Sequence, residues 1–95
     1  MHARIHQYAA TRFPPEELVR SSRQMLGAIG LIPGFVSFVL LDVGHGRLAS
    51  VCICEAPAAL DAVDSVASAW AAQHLESTNR SGDVATGQIV LQRGL

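Results

Sequence analysis

The chain contains no lysine. Its seven basic residues are all arginine, and eight carboxylates set against them leave a formal net charge of −1. No basic stripe runs along it, and neutralising a phosphate backbone takes clustered cations, so no nucleic-acid partner is expected. Charged residues amount to only 16% of a 95-residue chain. A body this small buries only about 60–65% of its unfolded surface, so part of the remainder is expected to face something other than water. Long apolar runs are missing as well: none reaches the roughly 18 residues a membrane-crossing helix needs. The opening Met1-His2-Ala3-Arg4 has no hydrophobic signal core, which makes the cytoplasm the expected compartment. There are two cysteines, Cys52 and Cys54, two apart on one predicted strand. That spacing sets their Cα atoms about 6.5–7 Å apart, at or beyond the reach of a disulfide. Two thiolates also fall short of a structural zinc site, so both read as buried apolar side chains. No phosphate loop, G-x-S-x-G turn or metal-ligand spacing is found. The motifs therefore call for neither a metal nor a cofactor.

What the chain does hold is 49% apolar residues arranged in short blocks. The block from Gly34 to Cys54 organises the rest. Phe35–Leu41 and Arg47–Cys54 flank Asp42-Val43-Gly44-His45-Gly46, which predicts a β-hairpin with Asp42 bonding its own backbone. Neither run alternates cleanly. Strict alternation sends Phe35, Val39 and Leu41 to one face and Val36, Phe38 and Leu40 to the other, and a strand apolar on both faces needs cover on both. Before the hairpin, Ala3–Tyr8 reads as a strand. Pro14-Pro15-Glu16-Glu17 opens a helix with the stripe Leu18, Ser22, Met25, Leu26 and Ile29, and Leu31-Ile32-Pro33-Gly34 stops it. After the hairpin, Pro57 opens a second helix with the stripe Leu60, Val63, Ala67, Trp70 and His74, while Asp61, Asp64, Ser65 and Ser68 form a solvated side. Glu76–Gly82 reads as a polar loop, and Val84–Arg93 as a closing strand strongest over Gln88–Gln92. The order β-α-β-β-α-β over residues 1–95, in one domain, predicts an α+β ferredoxin-like fold. Its four-stranded antiparallel sheet has strand order 4-1-3-2 and both helices on one face. The other face is expected to be covered by a second copy.

Three groups could carry chemistry. Trp70 and His74, at i and i+4, are neighbours on the helix surface. They form either a pocket wall, with an aromatic platform beside an imidazole that moves protons, or a core Trp with a His at the wet helix end. Arg4, His6 and Tyr8 share one face of the first strand. They are either a polar stripe into a pocket, with His6 as base, or an exposed rim. Ser50 is a buried hydroxyl or a pocket-lining one. His45, between two glycines of a turn, is expected to be exposed.

The step Pro33-Gly34-Phe35-Val36-Ser37-Phe38, the hairpin, the helix ending near Trp70 and the closing Gly87-Gln88-Ile89-Val90-Leu91 together resemble the dimeric α/β-barrel superfamily. Within it, the chain is most similar to the antibiotic-biosynthesis-monooxygenase-like (ABM) group, over Arg4 to Arg93. The resemblance implies a homodimer with a small apolar pocket between sheet and helices in each subunit. Members include cofactor-independent oxygenases of polyketide-like aromatics, so an enzyme here is expected to be a cofactor-independent monooxygenase of a small aromatic or polyketide-type substrate. From the stripes described above, and not from the family's motifs, His6 and His74 are then the expected catalytic residues, with Trp70, Tyr8, Arg4 and Ser50 binding a hydrophobic or aromatic ligand. Two alternatives stand beside it. One is a non-catalytic ligand-binding or structural dimer module whose pocket is filled by its own side chains. The other is a haem binder or degrader. Haem-degrading members combine a first-strand Asn with a helix Trp and a later His. The nearest residues here are Gln7, Trp70 and His74, and both the Gln and the one-turn spacing depart from that pattern.

Overall fold

The computed structural model describes residues 1–8, 15–44, 47–74 and 80–95, and gives the backbone alone for 15–18, 74 and 80–83. The elements are β1 (His2–Tyr8), α1 (Pro15–Gly30), β2 (Phe35–Gly44), β3 (Arg47–Cys54), α2 (Pro57–His74) and β4 (Arg80–Gln88). They form one antiparallel sheet of order β2-β3-β1-β4, which is the expected ferredoxin-like arrangement. His45 and the loop 75–79 fall outside the described residues.

Register decides which side chain faces what. β3 alternates strictly: Leu48, Ser50, Cys52 and Cys54 are buried under the helices, and Ala49, Val51 and Ile53 face the other way. Its pairing with β1 sets Arg4 opposite Cys52, His6 opposite Ser50 and Tyr8 opposite Leu48. The stripe Arg4-His6-Tyr8 therefore looks toward the helices and is no exposed rim. On β2 the register shifts between Phe35 and Ser37. This bulge corrects the strict-alternation expectation. Phe35 joins Phe38 on the helix side, where both pack on the core of Met25, Ile29, Cys52, Cys54, Leu60 and Val63, while Ser37 and Val39 turn outward. Burial, followed by the charge of the neighbouring Cys54 thiol and the contact with it (Sγ–Sγ 3.8 Å), pushes the Cys52 thiol up to about 12. Both cysteines are free and buried, as apolar packing requires.

The helices bury most of the expected stripes. On α1, Ser22, Met25 and Ile29 are buried, but Leu26 is largely exposed. On α2, Ala59 and Ala71 join Leu60, Val63 and Ala67 in the core. The last strand differs more from expectation. It runs from Arg80 to Gln88 and not from Val84 to Arg93, because β1 supplies the ladder and ends at His2, opposite Gln88. Beyond that point a single bond remains, from Ile89 N–H to the Met1 carbonyl (2.9 Å), and Val90 and Leu91 are almost fully exposed. At the other end, Tyr8 pairs with Arg80, so a partner strand overrides the loop-like composition of Arg80–Gly82.

Two local devices fix the connections. The Asp42 carboxylate accepts the Gly44 N–H at 3.0 Å, as its position at the hairpin end predicts. Gly34 turns the chain from α1 into β2 at φ +86°, and its carbonyl accepts the Glu55 N–H at 2.8 Å. A Cβ at Gly34 would meet the Ala59 methyl at 3.4 Å. Gly34→Ala combines left-handed strain with that contact, and it should lower the unfolding free energy by about 1–3 kcal/mol, read as a fall in the urea midpoint at unchanged slope.

Candidate functional site

The helix-facing stripe of β1 meets the flank of α2. Asp64, at i+3 from Asp61 and on the flank of the helix away from α1, receives two β1 side chains at once. His6 Nε2 lies 2.9 Å from Asp64 Oδ1, and Arg4 Nη1 contacts Asp64 Oδ2. The same Arg4 nitrogen reaches Asp61 Oδ1 at 3.0 Å, and Arg4 Nε donates to the Thr86 hydroxyl on β4 at 2.9 Å. Asp61 is mostly exposed, so only half of the expected solvated pair behaves as expected. Asp64 is three-quarters buried and holds the centre of the cluster. Sequence reasoning missed it because a carboxylate on the polar flank of a helix reads as solvated until the neighbouring strand is known. Its arginine and histidine partners, both on one face of β1, were the signal that could have found it.

The Arg4 cation faces two carboxylates, Asp61 and Asp64. Burial works against the charge of Arg4, yet the hydrogen bonds it donates to Asp64 and then Asp61, with their Coulombic attraction, outweigh it and raise its pKa above the ordinary arginine value. An ionised carboxylate can only accept, so the proton between Asp64 and His6 belongs to Nε2, and in the neutral ring this leaves a bare lone pair on Nδ1. Nδ1 is buried and has no hydrogen-bond partner among the described residues, and His6 as a whole is only 5% exposed. Such an orphan costs about 1–3 kcal/mol, and its presence asks for a reason. A carboxylate that fixes one imidazole nitrogen while the other stays free is the arrangement of an oriented general base.

Beyond His6 the same face carries Tyr8, whose ring stacks on the imidazole at 6.0 Å between centroids, and Ser50, the cross-strand partner of His6. Both line a cavity closed by Met25, Phe38, Leu40, Leu48, Ala67 and Trp70, with a volume of about 10 Å3, room for about one water-sized molecule. Trp70 is held in this wall by its Nε1–H, which donates to the Ser21 carbonyl of α1 at 3.1 Å. The sequence-predicted residues thus divide. Tyr8, Ser50 and Trp70 share the cavity, and His6 adjoins it through Tyr8 and Ser50. Arg4 is not among the cavity-lining residues and is bound by carboxylates. His74 ends α2, and its side chain lies outside the described residues. Gln7, the nearest counterpart of a haem-site Asn, is exposed on the helix-free side. No cluster of metal-ligating side chains occurs among the described residues.

Comparison with known proteins bears on the fold. No family model and no curated protein matches the sequence. Solved structures do match, along nearly the whole chain. A candidate antibiotic biosynthesis monooxygenase from Nitrosomonas europaea superposes with a TM-score of 0.70 at 12% identity, covering 96% of this chain and 100% of its own. The haem degrader MhuD from Mycobacterium tuberculosis, with two haems in its active site, gives 0.65 at 24% identity, covering 99% and 100%. SnoaB, a cofactor-independent oxygenase from Streptomyces nogalater, gives 0.61 at 15% identity, covering 99% and 95%.

Removing the central carboxylate should be costly and removing its neighbour cheap. Asp64→Ala removes the carboxylate partner of His6 and leaves Arg4 only the exposed Asp61 and Thr86, and it should lose about 2–4 kcal/mol of stability in urea. Asp61→Ala breaks an exposed ion pair and should lose less than about 1 kcal/mol.

Proposed function

From the fold that this chain shares with the ABM-like group, we propose that it is a cofactor-independent monooxygenase of a small aromatic or polyketide-type substrate, working as a homodimer with His6 as its base. The observation that carries the reading is the buried, unpartnered Nδ1 of a His6 whose Nε2 is pinned by Asp64. Proton abstraction from a phenol or enol by that nitrogen makes an electron-rich anion, which can give its electrons to dioxygen with no cofactor. For a CH2 group oxidised to C=O, one oxygen atom stays in the product and the other leaves as water, with the substrate supplying the electrons. Arg4 holds the Asp64 side chain against β1 and so acts as a positioning residue. The cytoplasm remains the proposed compartment, and no described helix is long and apolar enough to cross a membrane.

Haem does not fit the residues present: Gln7, the nearest counterpart of a haem-site Asn, lies on the helix-free side of β1. The narrow cavity does favour one rival, a non-catalytic dimer module whose interior is filled by Met25, Phe38 and Trp70. Turnover separates the two. Incubating the protein with an anthrone-type phenol under air should consume oxygen and form a quinone, and His6→Gln should abolish this at unchanged fold. No oxygen uptake by the wild type with a panel of such phenols would leave the rival module standing.

The dimer reading rests on the helix-free face. Ile5, Val39 and Leu41 are each more than 40% exposed there, flanking half-buried Val51 and Ile53. Val51 lies at the middle of that face, opposite Ile5 on one side and Val39 on the other. Covering several hundred Å2 at about 25 cal/mol per Å2 supplies several kcal/mol toward association. Val51→Glu should turn a sedimenting dimer into a folded monomer at micromolar concentration, and a dimer that survives it would move the interface elsewhere.

A further inference from the structure

We propose that Cys52 and Cys54, with the thioether of Met25 in the same core cluster, form a buried site for a soft monovalent metal ion, copper(I). The site is separate from the monooxygenase reading and uses neither His6 nor the hydroxyls of Tyr8 and Ser50. Spacing comes first. β3 sends both thiols to its helix side, and the two sulfurs lie 3.8 Å apart. A thiolate–metal bond is about 2.3 Å long, so one ion bonded to both sulfurs at this spacing would see them about 110° apart. The pair thus has the bite of a chelate as it stands, with no shift of β3. A disulfide would need the same sulfurs at about 2.05 Å, and both cysteines are free.

Donor type comes second. Met25, Cys52 and Cys54 belong to one core cluster, together with Ile29, Leu60 and Val63. The buried members of that cluster carry no oxygen or nitrogen in their side chains. Thiolate and thioether ligands in such surroundings select copper(I). Calcium and magnesium take oxygen ligands. A structural zinc takes four donors, and no three His, Cys, Asp or Glu side chains gather for a metal among the described residues.

Charge comes third. One copper(I) can replace one thiol proton at constant charge. The S–H bond of one cysteine breaks, its proton leaves to water, and an S–Cu bond forms. The second sulfur and the thioether donate lone pairs as neutral ligands, and no electron moves. Asp64 weighs against negative charge on the Cys52 sulfur more than Arg4, its partner across the ladder, weighs for it. The one-proton exchange is therefore favoured over a pair stripped of both protons. A divalent ion in the same exchange would leave an unpaired positive charge in an apolar core.

The test needs no substrate. The whole chain is titrated with copper(I) without oxygen, in competition with a chromophoric copper(I) chelator and with far-UV circular dichroism recorded alongside. One copper per chain should be retained at unchanged helical signal, and X-ray absorption should show a shell of sulfur alone. Cys52→Ala and Cys54→Ala should each weaken retention by about a hundredfold, and Met25→Leu, which keeps the volume, by about tenfold. If the alanine variants do not fold, the absorption shell of the wild type decides. Complete loss of copper to the chelator would overturn the site. So would a nitrogen or oxygen shell, full retention by the folded alanine variants, or uptake only as the helical signal is lost.

Discussion

Two helices can cover one face of a four-stranded sheet, and this limit orders the whole molecule. It sorts β3 into Leu48, Ser50, Cys52 and Cys54 beneath the helices and Ala49, Val51 and Ile53 outside. The same parity, carried across the ladder, turns Arg4, His6 and Tyr8 inward and leaves Ile5 outward. One side then becomes a core with a polar border and the other an apolar sheet in need of cover. Both the site and the proposed interface follow from that single division, because a one-residue slip in β1 would exchange their contents.

The polar border is expensive to maintain. Two β1 side chains and an α2 carboxylate lose water together, and their mutual attraction offsets that loss only when geometry is good. Arg4 achieves it by spreading its donors over Asp61, Asp64 and Thr86. His6 does not, since one nitrogen is bonded and the other is stranded. A purely structural histidine at this position would be expected to find a second partner, as buried polar groups generally do. The imbalance between the satisfied arginine and the histidine without a second partner among the described residues is the observation on which the proposed role of His6 rests.

Much of the architecture was legible in the sequence, and the reasons for the rest are local. Pro57, the Gly34 turn and the Asp42 hairpin end carry their own conformational signals, so they are found where the residues place them. The face of Phe35 was not legible, because a bulge adds one residue to one strand and only the partner strand reveals it. The end of β4 was hidden for a related reason: Val90 and Leu91 have strand-like side chains, but the ladder with β1 stops at the pair His2 and Gln88. Of the candidate site, the sequence leaves Ser50 between a buried and a lining hydroxyl and Trp70 between core and pocket wall, because only the packing of α1 and α2 on the sheet brings Tyr8, Ser50 and Trp70 around one cavity. Asp64 was hidden because period-3.6 patterning marks what faces the core and is silent about what lies along the boundary between helix and strand.

The stranded nitrogen and the narrow cavity weigh in different directions. Among the described residues the His6 Nδ1 has no partner while Asp64 fixes the ring through Nε2, which supports the proposed base. An aromatic substrate cannot enter a space of about 10 Å3, which supports the module whose interior is filled by its own side chains. Tyr8 and Ser50 belong to the cavity wall and to the surroundings of His6 at once, so the two readings meet at the same few residues.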